Sequence, residues 1–185
     1  MRWFRRLLLL LMFLPFLARA QTGAIISGND RHHPVFAANG MVASQEAVAT
    51  KLGVDILRQG GNAIDAAVAV GFILAVTLPR AGNLGGGGFM LIHHSQSGET
   101  LALDYREKAP AKADRDLFLG PDGELDKVKA RFSHLSIAVP GTVAGLIEAH
   151  RRFGSLPLRA VMTPAITLAS EGLMVTPGLA RNLLK

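Results

Sequence analysis

Arg106 is the side chain of this sequence best placed to bind a ligand. It follows a strand-like run, residues 100–105, and lies between Asp104 and Glu107. A guanidinium group offers a planar fork of donors that suits a carboxylate. An exposed ion pair with Asp104 or Glu107 is the commoner role for an arginine in such surroundings. The residues by themselves leave both interpretations open.

Four consecutive glycines, Gly85 to Gly88, precede this part of the chain. A phosphate-binding loop needs a strand before its glycines and a helix after them. Here a helix-like stretch comes first and a strand-like stretch follows. The glycines are therefore predicted to let two backbone segments pack closely together.

Other groups with possible chemistry are weaker candidates. The histidine pairs His32-His33 and His93-His94 each offer at most one metal ligand, because adjacent residues on a strand point to opposite faces. No cluster of acids or cysteines completes a metal site, so exposed polar roles are expected. The sequence has no cysteine and no G-x-S-x-G motif, which excludes a thiol nucleophile, disulfides and a hydrolase elbow.

The first 20 residues are typical of a secretory signal. A basic start is followed by an apolar run at residues 7–17 and by Ala18-Arg19-Ala20, which predicts cleavage after Ala20. The run is shorter than the about 20 residues of a membrane span, so a stable membrane anchor is the less favoured alternative. We expect export to the periplasm or the extracellular space, with residues 21–38 as a flexible lead-in.

The predicted mature chain is close to neutral. Four arginines and no acids lie in residues 1–20, which leaves 16 basic and 14 acidic residues and a net charge of +2. No basic stripe remains, so nucleic acid is not an expected partner.

Periodicity and capping residues predict several elements. Ser44 is predicted to cap a helix that ends before Gly60-Gly61, and Asn62 to cap an apolar helix over Ala63–Leu78, buried on all sides and pressed onto a sheet. The carboxylate of Asp65 is expected to be stabilised by the positive end of that helix dipole. Further helices are predicted at 142–153, at 157–171 and from residue 177, and strands at 41–44, 88–93, 100–105 and 134–139.

The order of these elements indicates the fold class. Two helices precede a hairpin, so the pattern is not a regular βαβ repeat, and an α+β layered architecture is favoured. Residues 109–130, with a turn at 121–123, are predicted to form a surface excursion.

Five segments, in this order and spacing, resemble the N-terminal part of the γ-glutamyltranspeptidases, or glutathione hydrolases. They are GMVAS at 40–44, GGNAIDAAVA at 60–69, GNLGGGGF at 82–89, DYREKAP at 104–110 and VPGTVAG at 139–145. The resemblance runs from about Ala38 to the end of the sequence. It implies the four-layer αββα sandwich of the N-terminal-nucleophile hydrolases, with residues 39–185 as an incomplete part of that domain.

The resemblance also implies a chemistry. A zymogen cleaves itself into a large and a small subunit, and the new N-terminal threonine of the small subunit attacks the γ-glutamyl amide of glutathione or a related compound. Water, an amino acid or a peptide then resolves the acyl-enzyme, and no cofactor is needed. Arg106 is thereby implied to bind the α-carboxylate of the substrate.

The family's nucleophile belongs to a Thr-Thr-His-type motif, and no Thr-Thr pair occurs in these 185 residues. The catalytic threonine is therefore expected beyond Lys185, and this chain alone is expected to be inactive. The alternative is a small exported binding protein, not an enzyme, that uses Arg106 to hold an acidic amino acid.

Overall fold

The computed structural model describes residues 34–183. The chain divides into two compact units, residues 1–38 and residues 39–185. Of the first unit only residues 34–38 are described, as coil with a bend. The predicted signal at residues 1–20 and most of the predicted lead-in lie outside the described residues. The elements below all belong to the second unit.

This unit combines six helices with one antiparallel hairpin in its described part. In chain order the elements are α1 (Ala47–Arg58), α2 (Ala63–Thr77), β1 (Phe89–His94), β2 (Glu99–Asp104), α3 (Lys127–Phe132), a 3₁₀ turn (His134–Ser136), α4 (Thr142–Phe153), α5 (Leu158–Glu171) and α6 (Pro177–Leu183). The predicted mixture of helices and strands is confirmed, and the four-layer sandwich stays a prediction. Within residues 34–183, no helix has both the length and the apolar character that a membrane span requires.

The first helix begins later than predicted. Its cap is Glu46, whose carboxylate accepts hydrogen bonds from the amides of Val48 and Ala49 at 3.0 and 2.8 Å. The prediction that Ser44 caps α1 is wrong, because the Ser44 hydroxyl instead donates to the Glu46 carbonyl at 2.8 Å. Ser44 therefore supports the capping residue rather than the helix amides.

The second helix confirms its prediction to within one residue. The Asn62 side chain accepts from the amides of Ile64 and Asp65, and the Asp65 carboxylate accepts from the Asn62 amide at 2.9 Å. This reciprocal pair is a capping box, which satisfies amides that would otherwise be left unpaired at a helix start.

Helix α2 is the centre of the described core, and its neighbours are helices α1, α4 and α5. Its small residues serve these helix contacts, and Met90 of β1 and Leu103 of β2 pack against the same core. At Gly71, for example, a Cβ atom would lie 2.9 Å from the Leu146 side chain of α4. The prediction that α2 is buried on all sides is wrong, because Ala67 is exposed. The buried apolar residues of this core are Ala49, Ile56, Ala66, Val68, Ala69, Phe72, Ile73, Leu146, Ala149, Val161 and Ala165.

The hairpin has the predicted turn, and both strands lie within one residue of their predicted bounds. Strands β1 and β2 pair antiparallel with Phe89 opposite Asp104, and Gly98 adopts a positive φ of 69° in the connecting turn. Two other predicted strands do not form. Residues 41–44 are coil, and residues 134–139 give the 3₁₀ turn and one isolated bridge, between Val139 and Lys108. A strand needs a neighbour along its length, and within the described residues these two segments have none beyond that bridge.

The later helices lie close to their predicted bounds. Helix α4 has its predicted bounds. Helix α5 begins one residue after its predicted start and ends at Glu171, followed by Gly172 with a φ of 86°. The excursion over 109–130 contains the predicted turn, with Gly123 at a φ of 79°, and also the start of helix α3, which was not predicted. Asp126 caps α3 by accepting from two of its first amides.

Candidate functional site

Arg106 lies two residues beyond the end of β2, and its guanidinium is accessible. Its backbone amide donates to Asp104 Oδ1 at 2.9 Å, and its Nη1 lies 3.0 Å from Glu107 Oε2. The Arg106 side chain is 57% exposed and that of Glu107 is 24% exposed. The ion pair foreseen as one role of Arg106 is therefore present with Glu107 and not with Asp104. It leaves more than half of the arginine open to a ligand.

Gly87 and Gly88 of the glycine run pack against the backbone on which Arg106 sits. A Cβ atom on Gly87 would lie 2.7 Å from the Glu107 nitrogen and 2.9 Å from the Arg106 carbonyl carbon. Gly88 and Tyr105 exchange two backbone hydrogen bonds, at 3.0 and 3.3 Å. The prediction of close packing is confirmed for Gly87 and Gly88, whereas a Cβ atom on Gly85 would meet no atom closer than 3.9 Å.

The start of α4 is bound to the glycine run and to the segment after Arg106. The amides of Gly141 and Thr142 donate to the carbonyl oxygen of Gly86 at 2.8 and 3.0 Å. Lys108 and Val139 exchange two further backbone hydrogen bonds, at 3.2 and 2.8 Å. The segment that carries Arg106 is thus fixed between the glycine run on one side and the segment leading into α4 on the other.

An open depression of about 300 Å³ lies beside this segment. Four charged residues line it, namely Asp104, Arg106, Lys108 and Glu148. Glu148 is already paired, since Arg151 donates two hydrogen bonds to it at 2.9 and 2.8 Å and lowers the pKa of the Glu148 carboxyl.

Two cations of this depression, Arg106 and Lys108, could meet an anionic group. The Asp104 carboxylate accepts the Arg106 amide and keeps its charge, whereas Glu148 forms an ion pair with Arg151. Lys108 makes no ion pair within the described residues. Arg106 and Lys108 are therefore the charged groups best able to meet a ligand, and a carboxylate is the group that a guanidinium fork binds best.

The histidine pairs named above form no metal site in the described part of the chain. His93 Nδ1 is 3.0 Å from Thr100 Oγ1, and His94 Nδ1 is 3.0 Å from Ser97 Oγ. His32 and His33 are not among the described residues. Over residues 34–183 no group of three potential metal ligands comes together.

Sequence reasoning missed the part that Tyr105 plays. Its ring packs against Gly88 of the strand entry and against Gly145 of α4, and this burial raises the pKa of its hydroxyl. Gly141 and Gly145 approach Tyr105 so closely that a Cβ atom on either would overlap it. No local pattern in the sequence indicates which distant glycine meets which aromatic ring.

Comparison with known proteins gives a consistent result. A family model described as gamma-glutamyltranspeptidase matches residues 49–185. The glutathione hydrolase proenzyme of Escherichia coli (strain K12) is 57% identical over 154 residues, which cover 83% of this chain and 26% of that protein. The chain spans about a quarter of the length of the curated relatives it matches.

Two solved structures are similar to the described fold. The γ-glutamyltranspeptidase of Helicobacter pylori superposes with a TM-score of 0.78 at 43% identity, covering 82% of this chain and 43% of that chain. The γ-glutamyltranspeptidase of Pseudomonas nitroreducens gives a TM-score of 0.75 at 42% identity, with 80% and 44% covered.

Proposed function

This chain belongs to the γ-glutamyltranspeptidase family, and from that premise we propose that it forms the N-terminal part of the large subunit of an exported γ-glutamyltransferase or glutathione hydrolase. Arg106 binds the α-carboxylate of the γ-glutamyl substrate in this proposal. The activity belongs to the longer precursor, in keeping with the quarter of each curated relative that this chain spans.

The observation that carries the role of Arg106 is the state of its side chain. The guanidinium stands at the end of β2, more than half exposed, on a backbone held by hydrogen bonds on both sides. It lines a depression in which Glu148 is already paired with Arg151. A fixed backbone with an accessible fork of donors suits a ligand that is bound by two parallel hydrogen bonds.

The reaction in this proposal is acyl transfer. The hydroxyl oxygen of an N-terminal threonine attacks the γ-carbonyl carbon, the C–N bond breaks, and a proton passes to the departing amine nitrogen. The threonine's own α-amine serves as the base. Water, an amino acid or a peptide then takes the glutamyl group and restores the hydroxyl. Since no Thr-Thr pair occurs in residues 1–185, the proposal assigns the nucleophile to the small subunit derived from the same precursor.

The family match gives no support to the alternative of a small exported binding protein that is not an enzyme. Both interpretations use Arg106 as a carboxylate ligand, so binding alone does not distinguish them. Self-cleavage of the precursor and turnover of a γ-glutamyl amide do.

The test uses the product of the complete reading frame that encodes this chain. The expected results are two fragments from one precursor, release of aniline from a γ-glutamyl anilide, and poor turnover of 4-aminobutanoyl anilide, which lacks only the α-carboxylate. Arg106→Ala is expected to abolish the preference between these two substrates. A product that binds glutamate without cleaving itself or the anilide would favour the binding protein.

A further inference from the structure

We propose that Gly145, through the ring of Tyr105 that packs on it, is a positioning residue for Arg106 and so controls the preference for substrates with an α-carboxylate. This inference rests on the proposed function, because it takes Arg106 to be the carboxylate ligand. Gly145 itself touches neither substrate nor nucleophile in this proposal, and it acts through Tyr105.

The contact between Gly145 and Tyr105 leaves no room for a side chain. Gly145 is buried on the first turn of α4 and faces the end of β2. A Cβ atom built on it would overlap the Cβ, Cγ and Cδ1 atoms of Tyr105. The aromatic ring therefore rests directly on the helix backbone, an approach that only glycine permits.

Tyr105 is held on its other side as well. A Cβ atom on Gly88 would lie 3.0 Å from Tyr105 Cε2 and 3.2 Å from Cζ, and the two residues exchange backbone hydrogen bonds. The ring thus lies between the start of the hairpin and the start of α4. Neither side can yield without moving a paired backbone, because a close-packed interior transmits an added atom as displacement.

The backbone of Arg106 takes its position from this arrangement. It follows Tyr105 directly, and its amide is bound to Asp104. Within the described residues, its guanidinium has a single charged partner, Glu107. The Cα atom of Arg106 is placed by this backbone, and the ion pair with the neighbouring Glu107 holds the guanidinium relative to it. A shift of Tyr105 therefore reaches the guanidinium, whose two parallel hydrogen bonds to a carboxylate depend on its orientation.

The experiment compares Gly145→Ala with Gly85→Ala in the product of the complete reading frame. Gly85 is the matched control, since the nearest atom to its Cβ position is Asn83 Oδ1 at 3.9 Å. For Gly145→Ala, kcat/KM for γ-glutamyl anilide is expected to fall about 10- to 100-fold, mostly through KM, as a displacement of the order of 1 Å would cause. Turnover of 4-aminobutanoyl anilide is expected to change far less, and Gly85→Ala is expected to leave both substrates within about twofold.

A second variant keeps the inference testable if Gly145→Ala accumulates poorly. Tyr105→Ala removes the ring without adding bulk and is also expected to reduce the preference for the α-carboxylate. Equal losses on both substrates, or an unchanged preference in these two variants, would overturn the inference.

The Arg106→Ala variant separates this inference from the proposed function. If Arg106→Ala abolishes the preference while Gly145→Ala and Tyr105→Ala retain it, only the positioning role fails. If Arg106→Ala leaves the preference intact, the assignment of Arg106 fails whatever the glycine variants do.

Discussion

Asp65 and Ser155 are joined by a 2.7 Å hydrogen bond although they lie 90 residues apart in the chain. The Asp65 carboxylate also accepts from the backbone amides of Asn62, Ser155 and Leu156. His150 Nε2 lies 3.6 Å from it and donates to the Leu156 carbonyl at 2.8 Å. The start of α2 is thereby tied to the connection between α4 and α5. Because the carboxylate is fully buried, these bonds must offset the cost of removing it from water.

Asp65→Asn is expected to destabilise the protein. The amide side chain is of similar size but replaces one acceptor by a donor, so at least one of the buried donors around it loses its partner. Leaving a buried polar group unsatisfied lowers the free energy of unfolding by about 1–3 kcal/mol. Urea denaturation measures this change. Asp116→Asn, at an exposed pair with Arg115, is the control and should stay within about 0.5 kcal/mol of wild type.

The contribution of Asp65 is expected to depend on pH. Burial raises the pKa of Asp65, but hydrogen bonds from Ser155, Asn62 and Leu156 outweigh it and hold the pKa below the ordinary value of 3.8. A lowered pKa in the folded state stabilises the protein above the unfolded pKa, and this stabilisation is lost as the pH falls through the folded pKa. The difference in unfolding free energy between wild type and Asp65→Asn should therefore shrink below about pH 4. A difference that grows on acidification would contradict this.

Asp65 also illustrates what the sequence could and could not predict. Its place near a helix start is a local pattern, and its favourable position in the helix dipole followed from it, as the cap of α2 followed from Asn62. The bonds to Ser155 and Leu156 depend on how α2 docks against the α4–α5 connection, which no local pattern encodes. The same distinction explains the strands, since residues 88–93 and 100–105 have each other as neighbours in sequence whereas 41–44 and 134–139 need distant partners.

The candidate site also combines features that the sequence predicts with features that it does not. The position of Arg106 at a strand end followed from the run before it. The choice of Glu107 over Asp104 as its ion-pair partner did not, because the Asp104 carboxylate turns back to accept the Arg106 amide. The contact of Gly145 with Tyr105 joins residues that are far apart in sequence, and only the packed structure reveals it.

The 185-residue chain expressed alone is expected to associate and to release no aniline from a γ-glutamyl anilide. Phe89 and Leu91 lie on the same face of β1, and their side chains are 68% and 78% exposed. An apolar strand face in a two-stranded hairpin favours pairing with further chains. Light scattering against concentration should show association, and the double variant Phe89→Ser, Leu91→Ser should reduce it. Met174→Ser, at an exposed residue outside any strand, should not.

Export is expected to remove residues 1–20. The basic start, the apolar run and Ala18-Arg19-Ala20 favour cleavage after Ala20. N-terminal sequencing of the exported protein should begin at Gln21. Ala20→Arg places a large charge at the cleavage site and should retain the precursor at the membrane, whereas Gln21→Asn should not. Wild-type material that still begins at Met1 would show that residues 1–20 serve as an anchor.

Arg106→Ala is expected to separate activity from stability. The ion pair with Glu107 joins two partly exposed side chains, and such a pair contributes about 0–1 kcal/mol to the free energy of unfolding. The loss of a desolvated guanidinium–carboxylate contact with substrate costs about 2–5 kcal/mol. The kcat/KM for glutathione should therefore fall roughly 30- to several-thousand-fold, while urea denaturation and self-cleavage remain close to wild type. Arg106→Lys should fall between, since a lysine keeps the charge but cannot form two parallel hydrogen bonds. Equal losses of activity and stability, or a precursor that no longer cleaves itself, would show instead that Arg106 serves the fold through Glu107.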